Sequence, residues 1–262
     1  MNTPLVSVIT VVFNAVQTVE RTILSVINQT YPNIEYVVID GGSTDGTAEI
    51  IKRYANRISY WVSEKDNGIY FAMNKGIKAA KGDLINFMNA GDIFFDNEAL
   101  LDMVTAWQKN AHPDILYGHA WMEFSTGHRT RVKAGDTVNS LWKGPIFRHN
   151  AMLVNANLQK KYLFKTDKKY NIAADFDFIY HMHTLGKQFV LYNRDTMVFT
   201  DGGVSSGAIR CNKDNRMIVL SYTPKTIYSL WHHLYLLKAR VGMVYRKIEK
   251  LLLHARRKNF NQ

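Results

Sequence analysis

The first hundred residues alternate between two hydrophobic periods. "VSVITVVF" (6–13) and "YVVI" (36–39) are nearly unbroken apolar runs rich in β-branched residues, the pattern of strands covered on both faces. "VQTVERTILSVINQ" instead places Val19, Ile23, Val26 and Ile27 at helical spacing, and "GTAEIIKRYAN" does the same with Ile50, Ile51 and Tyr54. "ISYWVS" and "DLINFMN" predict two more strands around the helical stretch "GIYFAMNKGIKAAK". "DNEALLDMVTAWQ" predicts a helix opening on Asp96 or Asn97 as cap. Strands alternating with helices predict right-handed βαβ units on a mostly parallel sheet.

From about Asp114 the pattern changes. "DILYGHAWMEF" and "GHRTRVKAG" predict a strand pair turning at Ser125–Gly127, and "GPIFRHNAMLV" predicts a loop running into a strand. "AADFDFIYHMHTLG" reads as a helix stopped by Gly186; "FVLYN" and "TMVFT" read as two short strands before a glycine loop, "DGGVSSG". The expectation is one α/β body over residues 1–207, nucleotide-type in front and mixed behind, followed by a helical extension over 208–262.

With 262 residues, 47% of them hydrophobic and 12% aromatic, the chain has enough apolar surface for a sizeable core, which excludes a disordered class. The single cysteine, Cys211, allows no internal disulfide and suits a reducing compartment. The opening apolar stretch is too short to span a bilayer and lacks a basic leader, so a cytoplasmic location is expected. Charge is unevenly spread. Residues 1–207 hold 21 Lys and Arg against 20 Asp and Glu, whereas 208–262 hold 12 against 2, so the extension carries +10 of the net +11. There Leu234, Leu237, Val241, Val244, Ile248, Leu251 and Leu252 recur at helical spacing among Arg240, Lys247, Lys250, Arg256 and Arg257, with Trp231 and Tyr235 nearby. A basic amphipathic helix of this kind suits an anionic membrane surface, the alternative being a helix packed on the body. No nucleic-acid recognition motif accompanies the charge.

The chemistry concentrates at strand ends. "VVIDGGSTDGT" ends an apolar run in Asp40, then Gly41, Gly42, Ser43 and Asp45. Gly41 and Gly46 have phosphate-loop spacing, but Thr47 stands where a lysine is required. A carboxylate cannot accept from phosphate oxygens; it can accept from N–H or hydroxyl donors of a base or ribose, while Asp45 caps the next helix or orients the loop. The stretch is also compatible with a plain strand–turn–helix corner. A second acidic strand end, "INFMNAGD", tips the balance: Asn89 and Asp92 flank the small residues Ala90 and Gly91. One carboxylate plus substrate phosphates is a usual way to hold Mg²⁺ or Mn²⁺. The acids then serve nucleoside and metal, and the metal serves the phosphates; a helix cap is the other reading of Asp92. His181 and His183 are two apart and lack ligand partners at zinc spacing.

"SVITVVFNA", "VVIDGGSTDGT", "SEKDNGIYFAMNKGI", "GDLINFMNAGD", "DFDF" and "GGVS", in this order over residues 4–206, resemble the inverting family 2 glycosyltransferases, in the bacterial polysaccharide-building branch with "NAGD" in place of D-x-D. The resemblance implies a GT-A fold, a nucleotide-sugar donor bound through a divalent metal, and transfer to an acceptor hydroxyl with inversion. It implies that Phe13 and Asn14 border the base and that Asp40, with Gly42 and Ser43, meets base or ribose. Asp66 and Gly68 then help enclose the nucleoside, Asn74 and Lys75 lie near the donor, and Asn89, Ala90 and Gly91 line it beside the metal ligand Asp92. Asp175 is implied as general base, in a helix start with Ala174 where the family has Glu; capping of that helix is the other role open to Asp175 and Asp177. His149 is implied to line the acceptor or diphosphate region, with Asp177 and the lid glycines Gly202 and Gly203. A lipid-linked glycan acceptor and a peripheral place on the inner face of the cytoplasmic membrane follow from the branch. Phe71 departs from it, standing where Asp is common, and Asn89 takes one charge from the metal site. Two other functions fit an α/β nucleotide fold. A sugar-phosphate nucleotidylyltransferase needs an N-terminal Gly-rich loop with Arg and Lys that "TVVFNAVQT" lacks. A non-catalytic membrane-binding module is favoured only by Phe71 and Asn89.

Overall fold

The computed structural model describes residues 3–167, 173–201 and 208–224. Nine strands form one sheet: β1 Val6–Val12, β2 Ile34–Asp40, β3 Tyr60–Ser63, β4 Leu84–Phe87, β5 Ile93–Phe94, β6 Ile115–Glu123, β7 Arg129–Val132, β8 Met152–Asn155 and β9 Phe189–Thr200. The helices are α1 Val19–Ile27, α2 Thr47–Arg53, α3 Ile69–Ala79, α4 Ala99–Lys109, α5 Ala156–Lys161, α6 Ala174–Thr184 and α7 Ala208–Tyr222. Strand order is β3-β2-β1-β4-β8-β6-β9-β5, with β7 paired to β6.

The front four strands run parallel, from βαβ units, and the apolar runs of β1 and β2 are buried on both faces as the sequence predicts. β8 enters antiparallel between β4 and β6, and β6 and β9 run parallel over a long register. Ile9, Ile39, Met73, Phe87 and Phe176 pack on one side of the sheet; Val8, Ile23, Val38, Leu100 and Leu153 pack on the other. From α7, Ile218 and Val219 join the first of these cores.

The hairpin at Ser125–Gly127 forms as expected, closed by the Gly127 N–H on the Phe124 carbonyl. Two local expectations are corrected. "FVLYN" and "TMVFT" are one strand, because a register shift at His119 lets β9 carry its polar centre past β6. The buried His119 accepts from the Ala134 N–H and bonds Asn193, so the irregularity is satisfied by side chains. Nor does Asp96 or Asn97 cap α4. The Asp96 carboxylate accepts from the Glu98 N–H, two residues on, and the helix begins at Ala99.

Among the described residues no helix is long and apolar enough to cross a membrane. The basic stretch beyond residue 224 and the glycines Gly202 and Gly203 lie outside the described residues.

Candidate active site

The carboxyl ends of β1, β2, β3 and β4 lie side by side, because these strands are parallel neighbours. In open α/β sheets this edge is where ligands bind. At the tip of β2, Asp40 is fully buried and receives three donors: the Ser43 N–H, the Ser43 hydroxyl and the Ser63 hydroxyl from β3. The Ser43 Oγ accepts in turn from the Asn14 N–H, and the Asn14 Oδ1 accepts from the Thr44 N–H. Asn14 holds a left-handed φ of 45°, so the turn after β1 is fixed against the turn after β2. In this geometry Asp40 orders the loop bearing Ser43 from beneath. Asp45 performs the loop role expected of it, accepting from the Val16 N–H and from the Thr47 N–H and hydroxyl. Those hydrogen bonds, the Thr47 hydroxyl first, hold its carboxyl below the ordinary value.

Phe13 stands on this rim with its ring largely exposed, over Gly41. Gly42, at φ +82°, lets the loop approach Lys65; a Cβ there would meet the Lys65 N at 3.1 Å. Past β3, the Lys75 Nζ lies 2.7 Å from both Asp66 Oδ1 and Glu64 Oε1. The other oxygen of Asp66 is buried without a hydrogen-bond partner. Gly68 precedes α3 as its N-cap. Asn74 is committed elsewhere: its amide exchanges two hydrogen bonds with the backbone of Phe164.

The second cluster surrounds the turn after β4. The Asp92 N–H bonds the Asn89 carbonyl, with Ala90 and Gly91 between them, and the Thr22 hydroxyl accepts from Gly91 N–H while donating to the Asp92 carbonyl. Gly91 sits at φ +99° with the Thr200 Oγ1 close by. The Asp92 carboxylate is buried and accepts from the Asn150 amide. Burial pushes its carboxyl up to about 7, against the pull of His149, Asn150 and Arg148. Beside it, Asn89 Nδ2 lies 3.5 Å from His149 Nε2, and the His149 Nδ1 lies 3.0 Å from Asp175 Oδ2. Asp175 Oδ1 accepts from the Tyr70 hydroxyl at 2.9 Å. Burial pushes the Asp175 carboxyl up, but His149 and Tyr70 outweigh it and hold it below the ordinary carboxylate value.

The structure therefore joins Asn89, Asp92, His149 and Asp175 in one contact chain. Asp177 is not part of that chain: it is buried on the far side of α6, bonded to Lys165 Nζ and the Tyr222 hydroxyl. Sequence reasoning missed Tyr70, Asn150, Ser63 and Thr22. Tyr70 stands inside the quoted "GIYFAMNKG", one residue before the departure at Phe71, which is itself exposed at the start of α3. The other three bear no local signal, since only the strand order brings them near the acids.

Among the described residues no group of three or more His, Cys, Asp or Glu side chains is placed to hold a metal ion. The donor set still suits a hard cation that takes its remaining ligands from substrate. Asn89 Oδ1 is a buried amide oxygen without a partner, next to the single carboxylate of Asp92.

Comparison with known proteins agrees with this architecture. The family model "Glycosyl transferase family 2" matches residues 7–162. An uncharacterized glycosyltransferase of Mycobacterium tuberculosis is 34% identical over 178 residues, covering 67% of this chain and 68% of that protein. The teichuronic acid biosynthesis glycosyltransferase TuaG, a putative assignment in Bacillus subtilis, is 38% identical over 92 residues, 34% of this chain and 36% of its own. Staphylococcus aureus TarS 1-349, solved with UDP-GlcNAc, superposes with a TM-score of 0.64 at 19% identity over 82% of this chain and 65% of that one. The mannosyltransferase PcManGT of Pyrobaculum calidifontis, solved with GDP-Man and Mn²⁺, gives 0.61 at 17% identity over 94% and 76%. The fold is that of the GT-A glycosyltransferases. By family match and by an identity that spans two thirds of a relative, the chain belongs to glycosyl transferase family 2 and is a glycosyltransferase.

Proposed function

We propose that this enzyme moves a sugar, with inversion, from a nucleotide-diphospho-sugar to a hydroxyl of a glycan acceptor in cell-surface polysaccharide assembly. The observation that carries the reading is the contact chain Asn89–His149–Asp175–Tyr70 beside Asp92, at the carboxyl edge of the sheet. The nucleoside lies against Phe13 and the Ser43 loop, and Asp66 helps enclose it. Asp92 and Asn89 Oδ1 are the groups that would hold a divalent cation with the donor phosphates, and that cation, when bound, supplies neutralising charge at the diphosphate.

Asp175 is the general base. Its carboxylate takes the acceptor hydroxyl proton as that oxygen bonds to the anomeric carbon and the bond from that carbon to the diphosphate breaks. His149 and Tyr70 hold both carboxylate oxygens and keep the group ionised. The donors named for TarS and PcManGT, UDP-GlcNAc and GDP-Man, support a nucleotide-sugar donor, and TuaG supports polysaccharide synthesis. A lipid-linked acceptor at the inner face of the cytoplasmic membrane is the further reading, supported by the +10 charge of residues 208–262.

The test is nucleoside diphosphate release from a panel of nucleotide sugars with an oligosaccharide or lipid-linked acceptor and Mn²⁺. Turnover of a donor in the wild type, lost in both Asp175→Asn and Asp92→Ala, supports the assignment. Turnover that survives both substitutions overturns it.

A further inference from the structure

Three consecutive residues, Arg148, His149 and Asn150, face the Asn89–Asp92 turn, and two of them already have a role there. Asn150 donates to the Asp92 carboxylate and His149 bridges Asn89 to Asp175. Arg148 is exposed, with its guanidinium carbon 4.4 Å from the centre of the Phe199 ring. Among the described residues no carboxylate lies within ion-pair distance of it. Phe199 is next to Thr200, whose Oγ1 lies 3.1 Å from where a Cβ on Gly91 would stand. The guanidinium is thus held by a ring of β9, and Arg148 directly precedes His149 and Asn150, which contact the turn. Stacking on an aromatic face leaves its in-plane N–H donors free.

We propose that Arg148 binds the diphosphate of the nucleotide donor and stabilises it as leaving group. The inference rests on the donor reading above. The local charge balance gives Arg148 its purpose. Asn89 supplies an oxygen but no charge, so a cation at this turn has one protein carboxylate, Asp92, to hold it. A fixed guanidinium alongside offers bidentate hydrogen bonds to phosphate oxygens, and its charge does not depend on metal occupancy. Ala90 and Gly91 of the turn leave the room this approach requires.

The experiment is calorimetric titration of the full chain with UDP and GDP, and with UMP and GMP, in the presence of Mn²⁺. For whichever base binds, Arg148→Ala should weaken diphosphate binding about tenfold and monophosphate binding by less than about twofold. Arg148→Lys should recover part of the loss, and Phe199→Leu, which keeps the charge and removes its platform, should fall between. Equal diphosphate affinity in wild type and Arg148→Ala, or an equal loss for mono- and diphosphate, overturns the Arg148 assignment and leaves the donor reading standing. If the wild type binds neither diphosphate, the donor reading falls and this assignment falls with it.

Discussion

His149 presents Nδ1 to Asp175 at 3.0 Å while its Nε2 faces the Asn89 amide at 3.5 Å. His149 thus spans the two groups, one ring nitrogen on the Asp175 carboxylate and the other on the Asn89 side chain. The proposed base is therefore held in place from the turn that carries Asp92. Asp175→Asn should lower kcat about 10²–10⁴-fold while nucleoside diphosphate affinity stays within about twofold, because a general base acts on the acceptor proton and not on donor binding. Steady-state kinetics paired with calorimetry checks this. A parallel loss of donor affinity would count against the role.

The pH dependence follows from the same contacts. Burial acts to raise the Asp175 carboxyl, and the His149 and Tyr70 interactions reverse the sign, so its folded value lies below its unfolded one. Such a group adds stability above the ordinary carboxylate range and loses it as pH falls through the folded value. In Tyr70→Phe one lowering contact is gone, so the acid limb of kcat/KM should move to higher pH. In His149→Leu, which removes the larger contribution, it should move further. A pH–rate profile with unshifted acid limbs in both variants would show that Asp175 is not the titrating base.

Metal dependence should centre on two residues only. Chelation with EDTA, or Asp92→Asn, should abolish the metal-dependent rise in melting temperature that a nucleoside diphosphate produces. Asn89→Ala, which deletes the buried unpartnered oxygen, should raise the half-saturating Mn²⁺ concentration about tenfold. Thermal shift over a metal titration distinguishes these outcomes from simple destabilisation, since the melting point without ligand is read in the same series.

Gly91 should tolerate no side chain. At φ +99° an Ala costs about 1–2 kcal/mol in backbone strain. Its Cβ would also lie 3.1 Å from the Thr200 Oγ1. Gly91→Ala should lower the melting temperature by about 2–8 °C, and Thr200→Ala in the same chain should restore only the part due to contact. Full restoration would mean the left-handed backbone is unimportant.

How much of this was written locally can be judged residue by residue. The strands Val6–Val12 and Ile34–Asp40 are legible because both faces are buried, and the acid ending the second because a glycine turn follows it. Asn89, Asp92, His149 and Asp175 were nameable one by one, but their contact depends on β8 inserting antiparallel beside β4, which brings residues 148–150 over the turn. No spacing encodes that insertion. The single long β9 was hidden for a similar reason: its polar centre, Asn193–Asp195, reads as a break until His119 and Arg131 are seen to pair with it. Asp40 and Asp66 also differ in how their carboxylate oxygens are met. Asp40 accepts three serine hydrogen bonds, whereas one oxygen of Asp66 is buried without a hydrogen-bond partner.

Asp177 provides the sharpest separation of structure from chemistry within α6. It lies two residues from the proposed base, yet its buried carboxylate bonds Lys165 at 3.0 Å and the Tyr222 hydroxyl at 3.1 Å, pinning α7 to the body. Hydrogen bonds to a buried charge contribute about 1.5–3 kcal/mol, and truncation leaves their donors unsatisfied. Asp177→Ala should therefore lower the melting temperature by about 3–12 °C at roughly 2–4 °C per kcal/mol. Below that new midpoint, kcat and donor affinity should stay within about threefold of wild type, because no contact links this carboxylate to His149 or Asp92. A loss of kcat as large as that of Asp175→Asn, at a temperature where the variant is folded by circular dichroism, would place Asp177 in the chemistry instead.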